Sequence, residues 1–594
     1  MARSSLQSLG LGLRKVWPQW ATVKHWAWLV LSSPLLLWQS LGRSYEKRYR
    51  SSRSLLGRRA FLPPQFIFVP LMLLAAFLGA VIGLDAPVLV AFLSAMVFAV
   101  MVFVMLNTNG MLLVMFVLTF IVQGSALYFG HIRQAPWIAV GMAGLFFMRA
   151  LLELTTQNRV DNKLKRNPAA GNVLVGLSLY LACYFCSMAV NRPPVGQVIA
   201  SIKSMMPMFG VLMALYWFHW TTPRMERLWK LMLVITICQL PVVLYQHFVV
   251  AARRSQGFDS VVGTFGGVEG GGGLSAIMVV FVITTLAYGL ARWNRGLTDN
   301  KNTAIFVAIV FAIILLGEVK ASFVWLPLVS FIVLRKRAMK NVLTLITYGA
   351  VTSVLLLTIY VAYNAMYWGN LKGNQGTVSE KLNRTGGYFF DTRNVDYLTG
   401  EVSRGASLGL WANDRNASLP KRLIGYGPGA SKTGGALGKG EVARRFEPLA
   451  IDSTTMAVLL WDVGILGAMA YSSLMLVGIW TALRFLWSGR GSEHQKAMVE
   501  TSLAVMLVLC SLLIYNRSLT DEPTLQLLFL FVLGSVVQAA RYPDDVPVEQ
   551  QENKPGKVRG KAQRAEKGAN ARHVPSPPRR RPPVVYPEKI VGRG

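Results

Sequence analysis

Fourteen mainly apolar stretches follow one another along this chain, at about 65–84, 86–106, 109–129, 136–154, 172–191, 200–219, 227–250, 273–292, 303–317, 319–335, 342–363, 456–483, 498–514 and 523–540. Most approach the roughly 20 residues that a helix needs to cross about 30 Å of hydrocarbon. In lipid every backbone N–H and C=O must find its partner inside the protein, so stretches of this length have to become helices. The composition agrees: 53% of residues are hydrophobic and 15% charged, where soluble globular chains carry about 25% charged residues. A soluble enzyme, a disordered chain and a nucleic-acid factor are excluded. The expected fold class is an all-α polytopic integral membrane protein with about 14 transmembrane helices and one large loop between spans 11 and 12.

The net charge of +33 would suggest nucleic acid in a soluble protein. Here Lys and Arg instead mark the cytoplasmic side and its anionic lipids. Counting from a cytoplasmic N-terminus, the inner connections carry Arg159, Lys163, Lys165 and Arg166, then Arg224, Arg227 and Lys230, then Arg292, Arg295 and Lys301. Further on they carry Arg335, Lys336, Arg337 and Lys340, and finally Arg484, Arg490 and Lys496. Most connections on the other side are short and nearly uncharged, so both termini are expected in the cytoplasm. The four cysteines, Cys183, Cys186, Cys238 and Cys510, all lie in apolar runs and read as membrane-helix thiols.

Five regions result. Residues 1–61 hold eleven Lys/Arg against one Glu, and the apolar patch from Trp26 to Trp38 is too short to span. A basic cytoplasmic arm with an interfacial helix is expected there. Residues 62–363 form a transmembrane bundle, 364–455 the large external loop and 456–540 the C-terminal transmembrane helices. Residues 541–594, with PSPPRRRPP near the end, read as a basic disordered cytoplasmic tail. Membrane lipids are the expected partners of both basic ends, and nucleic acid is not.

The loop 364–455 carries twelve Lys/Arg and eight Asp/Glu, with Tyr388, Phe389, Phe390, Tyr397, Trp411, Tyr426 and Phe446. Such aromatic content argues for a folded loop. Its arginines suit a lipid-linked phosphate, since guanidinium binds phosphate oxygens bidentately. The alternative is a solvated surface of Arg–carboxylate pairs. Two glycine-rich segments, LIGYGPGAS (423–431) and GTFGGVEGGGG (263–273), lack the Gly-Lys-Ser/Thr ending of a nucleotide-binding loop. The second belongs to another external segment, Ala251 to Gly273. Asp452, Ser453, Thr454 and Thr455 open a helix, as capping residues do, and Asp452 is either its cap or a functional residue. Asp462, inside the span, is either functional or a buried structural partner. No metal-ligand cluster is legible.

Three stretches, SRGASLGLW (403–411), RLIGYGPG (422–429) and DSTTMAVLLWDVGILG (452–467), follow one another in an order that resembles the O-antigen ligase and Wzy polymerase superfamily. LGEVKASFVWLPL (316–328), with Lys320 where the family has Arg, and YQHFVVAARRSQG (245–257) resemble its upstream segments. The resemblance covers about 230–480. Ligases open the late helix with His-Asn; Ser453 and Thr454 stand there, Asp462 replaces a Glu, and no His occurs between His247 and His494. That leans toward a polymerase.

The resemblance implies a glycosyltransferase of the bacterial inner membrane with a periplasmic loop. It would move a glycan from undecaprenyl pyrophosphate to an acceptor sugar hydroxyl, building O-antigen, capsule or exopolysaccharide. It implies no cofactor, and other polysaccharide assembly proteins as further partners. Arg404, Arg422 and Asp452 are the expected catalytic residues, Asp452 as base. Arg415, Lys421, Lys320 and Arg254 are expected on the anionic donor, and Trp411 and Tyr426 on sugar rings. An O-antigen ligase acting on lipid A core and a precursor flippase or transporter are the alternatives.

Overall fold

The computed structural model describes residues 99, 101, 103–132, 134–156, 170–250, 261–267, 274–317, 319–363, 386–434 and 438–544. The chain divides into Met1–Val100 and Met101–Gly594, and every helix from Thr108 onward belongs to the second unit. The arm, the tail, the span at 65–84, most of that at 86–106, and Arg254 lie outside the described residues.

Among the described residues the fold is helical, with a single isolated bridge between Val395 and Val402. The bundle helices are α1 (Thr108–Tyr128), α2 (Pro136–Thr156), α3 (Gly171–Asn191), α4 (Val195–Met205), α5 (Phe209–Trp217), α6 (Thr222–Val250) and α7 (Ser275–Asn294). They continue with α8 (Asn300–Leu316), α9 (Ser322–Ala338) and α10 (Val342–Tyr363). Short loop helices follow, α11 (Arg404–Ala412), α12 (Leu419–Ile424) and α13 (Glu441–Arg445). The chain then re-enters the bundle with α14 (Thr455–Trp487), α15 (Glu493–Tyr515), the single turn α16 (Ser518–Asp521) and α17 (Pro523–Arg541). Nine of these, α1, α2, α3, α6, α7, α10, α14, α15 and α17, are long and apolar enough to cross a membrane. This is a helical membrane protein.

The stretch expected as one span at 200–219 is a broken pair. α4 and α5 meet at 52°, because Pro207 between them lacks the N–H that would continue the helical bonding and its ring crowds the preceding turn. The last helix, α17, is the central post: every residue in it is buried. α10 is at the rim, with only Ile359 and Tyr363 buried.

The glycine-rich segment expected outside the bundle is partly inside it, since Val261–Gly267 are all buried. Two glutamines of α6 provide the polar partners that lipid would not. The Gln246 carboxamide accepts from Val262 N (3.0 Å) and Gly263 N (2.7 Å) and donates to Gly263 O (2.9 Å). Gln239 accepts from Thr264 N at 2.8 Å. Thr264 Oγ1 donates to Phe120 O at 2.6 Å, within the π-helical turn Leu118–Val122 of α1. Phe120 lies eight residues, about 12 Å, from the end of α1, so the segment dips well into the bundle. Gly124 makes this possible, because a Cβ there would lie 2.1 Å from Thr264 O.

At the end of the bundle away from the loop, the fully buried Glu500 carboxylate bridges Arg295 (2.8 Å) and Arg335 (2.9 Å), tying α7, α9 and α15. Asp544 accepts from Thr222 Oγ1 (2.7 Å) and Ser492 Oγ (2.8 Å), tying α6 to α15.

Candidate active site

Helix α14 is capped by Thr454, whose Oγ1 accepts from Ala457 N at 3.1 Å. Ten residues on it breaks: Gly464 has φ 69° and ψ −172°. A break at membrane depth frees backbone groups that must be paired, and the loop pairs them. Tyr426 N donates to Trp461 O (2.8 Å) and Gly427 N to Asp462 O (3.1 Å). Ser187 of α3 donates to Asp462 O as well, at 2.8 Å. The Asp462 carboxylate accepts from Gly429 N (2.7 Å) and Ser431 N (2.8 Å). A Cβ on Gly464 would lie 2.4 Å from Leu423 O, so only glycine lets the two chains approach. The segments LIGYGPG and DVG are thus two halves of one junction, and Asp462 is its buried partner.

Beyond the junction the chain delivers Lys432 and Thr433 to the end of the bundle. Lys432 pairs with Asp521 of α16 at 2.8 Å. Arg517, just before α16, pairs with Asp452 at 2.6 Å and lies 3.4 Å from Asp521. Thr433 Oγ1 donates to Asp452 at 2.7 Å. Lys203 of α4 and Glu522 share the same field. Lys432, Asp452, Arg517 and Asp521, with Ser204 and Gly429, border a cavity of about 20 Å³, space for one water.

Burial pushes Asp521 up, but Lys432 and Arg517 outweigh it and hold its carboxyl below the usual range. Burial would discharge Arg517, but Asp452, Asp521 and Glu522 raise it on balance. Glu522 is different. It is half-buried, and its carboxyl has no hydrogen-bond or ion-pair partner among the described residues. Burial, then the charge of Asp521, push it up to about 8 against the pull of Arg517, Lys432 and Lys203. Since this lies above its ordinary 4.5, ionisation costs stability, and the folded protein loses it as pH rises from about 4.5 to about 8. Glu522→Gln escapes that loss. Its thermal transition should match the parent at pH 5 and lie above it at pH 9. One unit is worth about 1.4 kcal/mol, and solvent screening at a half-buried site leaves about 1–3 kcal/mol. Equal transitions at pH 9 would contradict the assignment.

Arg404, the first residue of α11, follows Ser403, whose Oγ accepts from Ala406 N at 3.2 Å. Its Nε donates to Tyr515 O. Its guanidinium lies 4.7 Å from the ring centres of Tyr388 and Phe389 and 4.5 Å from that of Tyr515. Three rings fix the cation, and its two terminal amino groups have no protein partner among the described residues. Tyr515 closes α15, and Arg517 is two residues further, so Arg404 and Arg517 flank one helix end.

The other expected residues divide. Asp452 is not the helix cap, a role that belongs to Thr454; its carboxylate is taken by Arg517 and Thr433. Tyr426 is not a platform for sugars. It is buried, its hydroxyl donating to Asp414 (2.6 Å) and its ring 5.8 Å from that of Trp461. Trp411 is half-buried against the same loop core. Lys421 donates to Asn191 Oδ1 at 2.5 Å and pins the loop to α3. Arg422 is half-buried and donates to Ala412 O at 3.3 Å. Arg415 is exposed on a separate groove, and Lys320 is exposed just ahead of α9. The cluster therefore gathers Asp452, with Arg404 beside it, and leaves Arg415, Arg422, Lys421 and Tyr426 elsewhere.

Four of its members are not among the residues expected from sequence: Lys432, Arg517, Asp521 and Glu522. A signal exists, since RSLTDE (517–522) puts three charges into one turn between apolar runs. Among the described residues no group of three or more His, Cys, Asp or Glu could hold a metal ion. No family model and no curated protein matches the chain.

Proposed function

We propose that the chain is a polysaccharide polymerase of the bacterial inner membrane. It transfers glycan from undecaprenyl pyrophosphate to an acceptor sugar hydroxyl at the periplasmic face. The observation that carries this is the convergence of loop cations, Arg404 and Lys432, with the helix-end cation Arg517 where the bundle meets the loop. The pyrophosphate is already a good leaving group, so the enzyme has to position it and stabilise its growing charge. Arg404 offers two unpaired amino groups for that purpose, with Lys432 and Arg517 behind it. Glu522 replaces Asp452 as base. It takes the acceptor proton as the hydroxyl oxygen bonds the anomeric carbon and the carbon–oxygen bond to pyrophosphate breaks. Its value near 8 makes it a stronger base than an ordinary carboxylate.

A glycan profile from a deletion strain tests the reading. Loss of long chains with single repeats retained marks a polymerase. Polymer kept on the lipid carrier marks a ligase. The orientation is tested separately. Cysteine at Asn374 should react with an impermeant reagent from outside the cell, and cysteine at Gly560 only after permeabilisation. The reverse pattern would put the site on the wrong side of the membrane for this donor.

One observation favours a transporter: α4–α5 and α14 are discontinuous, as in transporters whose broken helices bind cargo. In α14, however, two carbonyls freed by the break, Trp461 O and Asp462 O, are taken by Tyr426, Gly427 and Ser187. Trp461 O and Asp462 O are therefore closed to a substrate.

A further inference from the structure

The loop has a second concave site, a groove of about 290 Å³, at the small end of ligand pockets. Asp414 lies beneath it, its side chain only 3% exposed. That carboxylate accepts from Tyr426 Oη (2.6 Å), Asn416 N (3.0 Å) and Arg445 Nη2 (2.6 Å). Burial raises it, but these three partners win and keep it ionised. The single negative charge of the groove is therefore spent on Arg445.

Arg445 is itself fixed, with its guanidinium 5.1 Å from the Tyr426 ring centre and 5.0 Å from that of Phe446. Arg415 is exposed, borders the groove and has no partner among the described residues. Two guanidinium groups against one neutralised carboxylate leave the groove positive. Asn413 gives one amide hydrogen to Gly409 O (2.9 Å) and keeps its oxygen free. The Asn416 side chain faces the groove without a side-chain partner among the described residues. Two amides and two guanidinium groups beside Leu410 and the Phe446 ring offer hydrogen bonds next to an apolar face, a mix that suits the hydroxyls and the C–H face of a sugar.

We infer that this groove holds the acceptor glycan, that the glycan is acidic, and that Arg415 binds its carboxylate. The inference rests on the transferase reading and adds the substrate class: a chain of uronic-acid type. Arg415 thereby leaves the donor pyrophosphate, where the sequence resemblance puts it, and becomes a specificity residue.

The test uses the full chain in lipid nanodiscs, with tetragalacturonate as acidic probe and maltotetraose as neutral probe. Tetragalacturonate should bind at least about tenfold more tightly, the factor that one charge-assisted pair supplies. Arg415→Ala should remove that advantage, and Arg415→Glu should make the preference neutral or reversed. Asn416→Asp, which adds a carboxylate without removing bulk, should weaken the acidic probe alone. Equal binding of the two probes, or an acidic preference that survives Arg415→Glu, overturns the inference. Arg404→Ala separates the two readings: it should abolish polymer and leave tetragalacturonate binding unchanged. Normal polymer from that variant defeats the transferase reading, whatever the groove binds.

Discussion

Asp462→Asn should release the loop from the bundle without unfolding the helices. The carboxylate accepts from two buried N–H groups, those of Gly429 and Ser431. An asparagine has one oxygen to offer and turns its NH₂ toward the second donor, which is left unpaired. Hydrogen bonds to a charged acceptor are worth about 1.5–3 kcal/mol each, and a buried orphan costs about as much again. The junction should lose roughly 3–5 kcal/mol, more than a docked loop retains. Lys432 and Thr433 would leave Asp521 and Asp452 along with it. Limited proteolysis should cut between residues 423 and 433 in the variant and spare the parent, while circular dichroism keeps its helical amplitude. Polymer should disappear even though no group proposed to touch substrate has changed. A variant as protease-resistant as its parent would show that the backbone pairs of Tyr426 and Gly427 hold the loop alone.

The spans are legible because lipid imposes one rule on every residue in them. Length and apolarity locate α7, α15 and α17 to within a few residues. Irregular segments obey a different rule, pairing by distant side chains, and no local pattern announces it. Val261–Gly267 reads as a surface connection until Gln239 and Gln246, some 20 residues earlier, are seen to hold it inside. Asp462 reads as one of two things, and only its contact with a turn 31–33 residues upstream separates them. The candidate site shows the same division. Arg404 and Asp452 are singled out by the stretches SRGASLGLW and DSTTMAVLLWDVGILG that carry the family resemblance, since nothing local separates Arg404 from the other loop cations. Tyr426 looks like a sugar platform because aromatic content does not say which ring faces solvent. Arg517 and Glu522 do not stand out because a short turn between apolar runs resembles a simple connection, although three charges in it require partners.

The largest effect on chemistry should come from Arg404→Ala, which is expected to abolish long-chain polymer from a stably inserted protein. The cage of Tyr388, Phe389 and Tyr515 holds the guanidinium in place before substrate arrives. Removing one such preorganised donor typically costs 10²–10³ in rate, or about 2.7–4 kcal/mol. Arg404→Lys should restore little, since an ammonium carries its donors on one atom and does not reproduce the planar fork that holds Tyr515 O with Nε while presenting two separate amino groups. Arg517→Ala should be as damaging for a second reason, because it strips Asp452 and Asp521 of their common partner and leaves two acids beside the leaving group. Glu522→Gln separates base from cation. With donor binding intact and the base gone, turnover should fall and lose its rise toward pH 8, while KM for the lipid-linked donor holds. Asp452→Asn should be mild in comparison, because it keeps the shape and a hydrogen bond to Arg517. Normal polymer from Arg404→Ala would remove the centre of the site. A pH profile unchanged by Glu522→Gln would return the base to another residue.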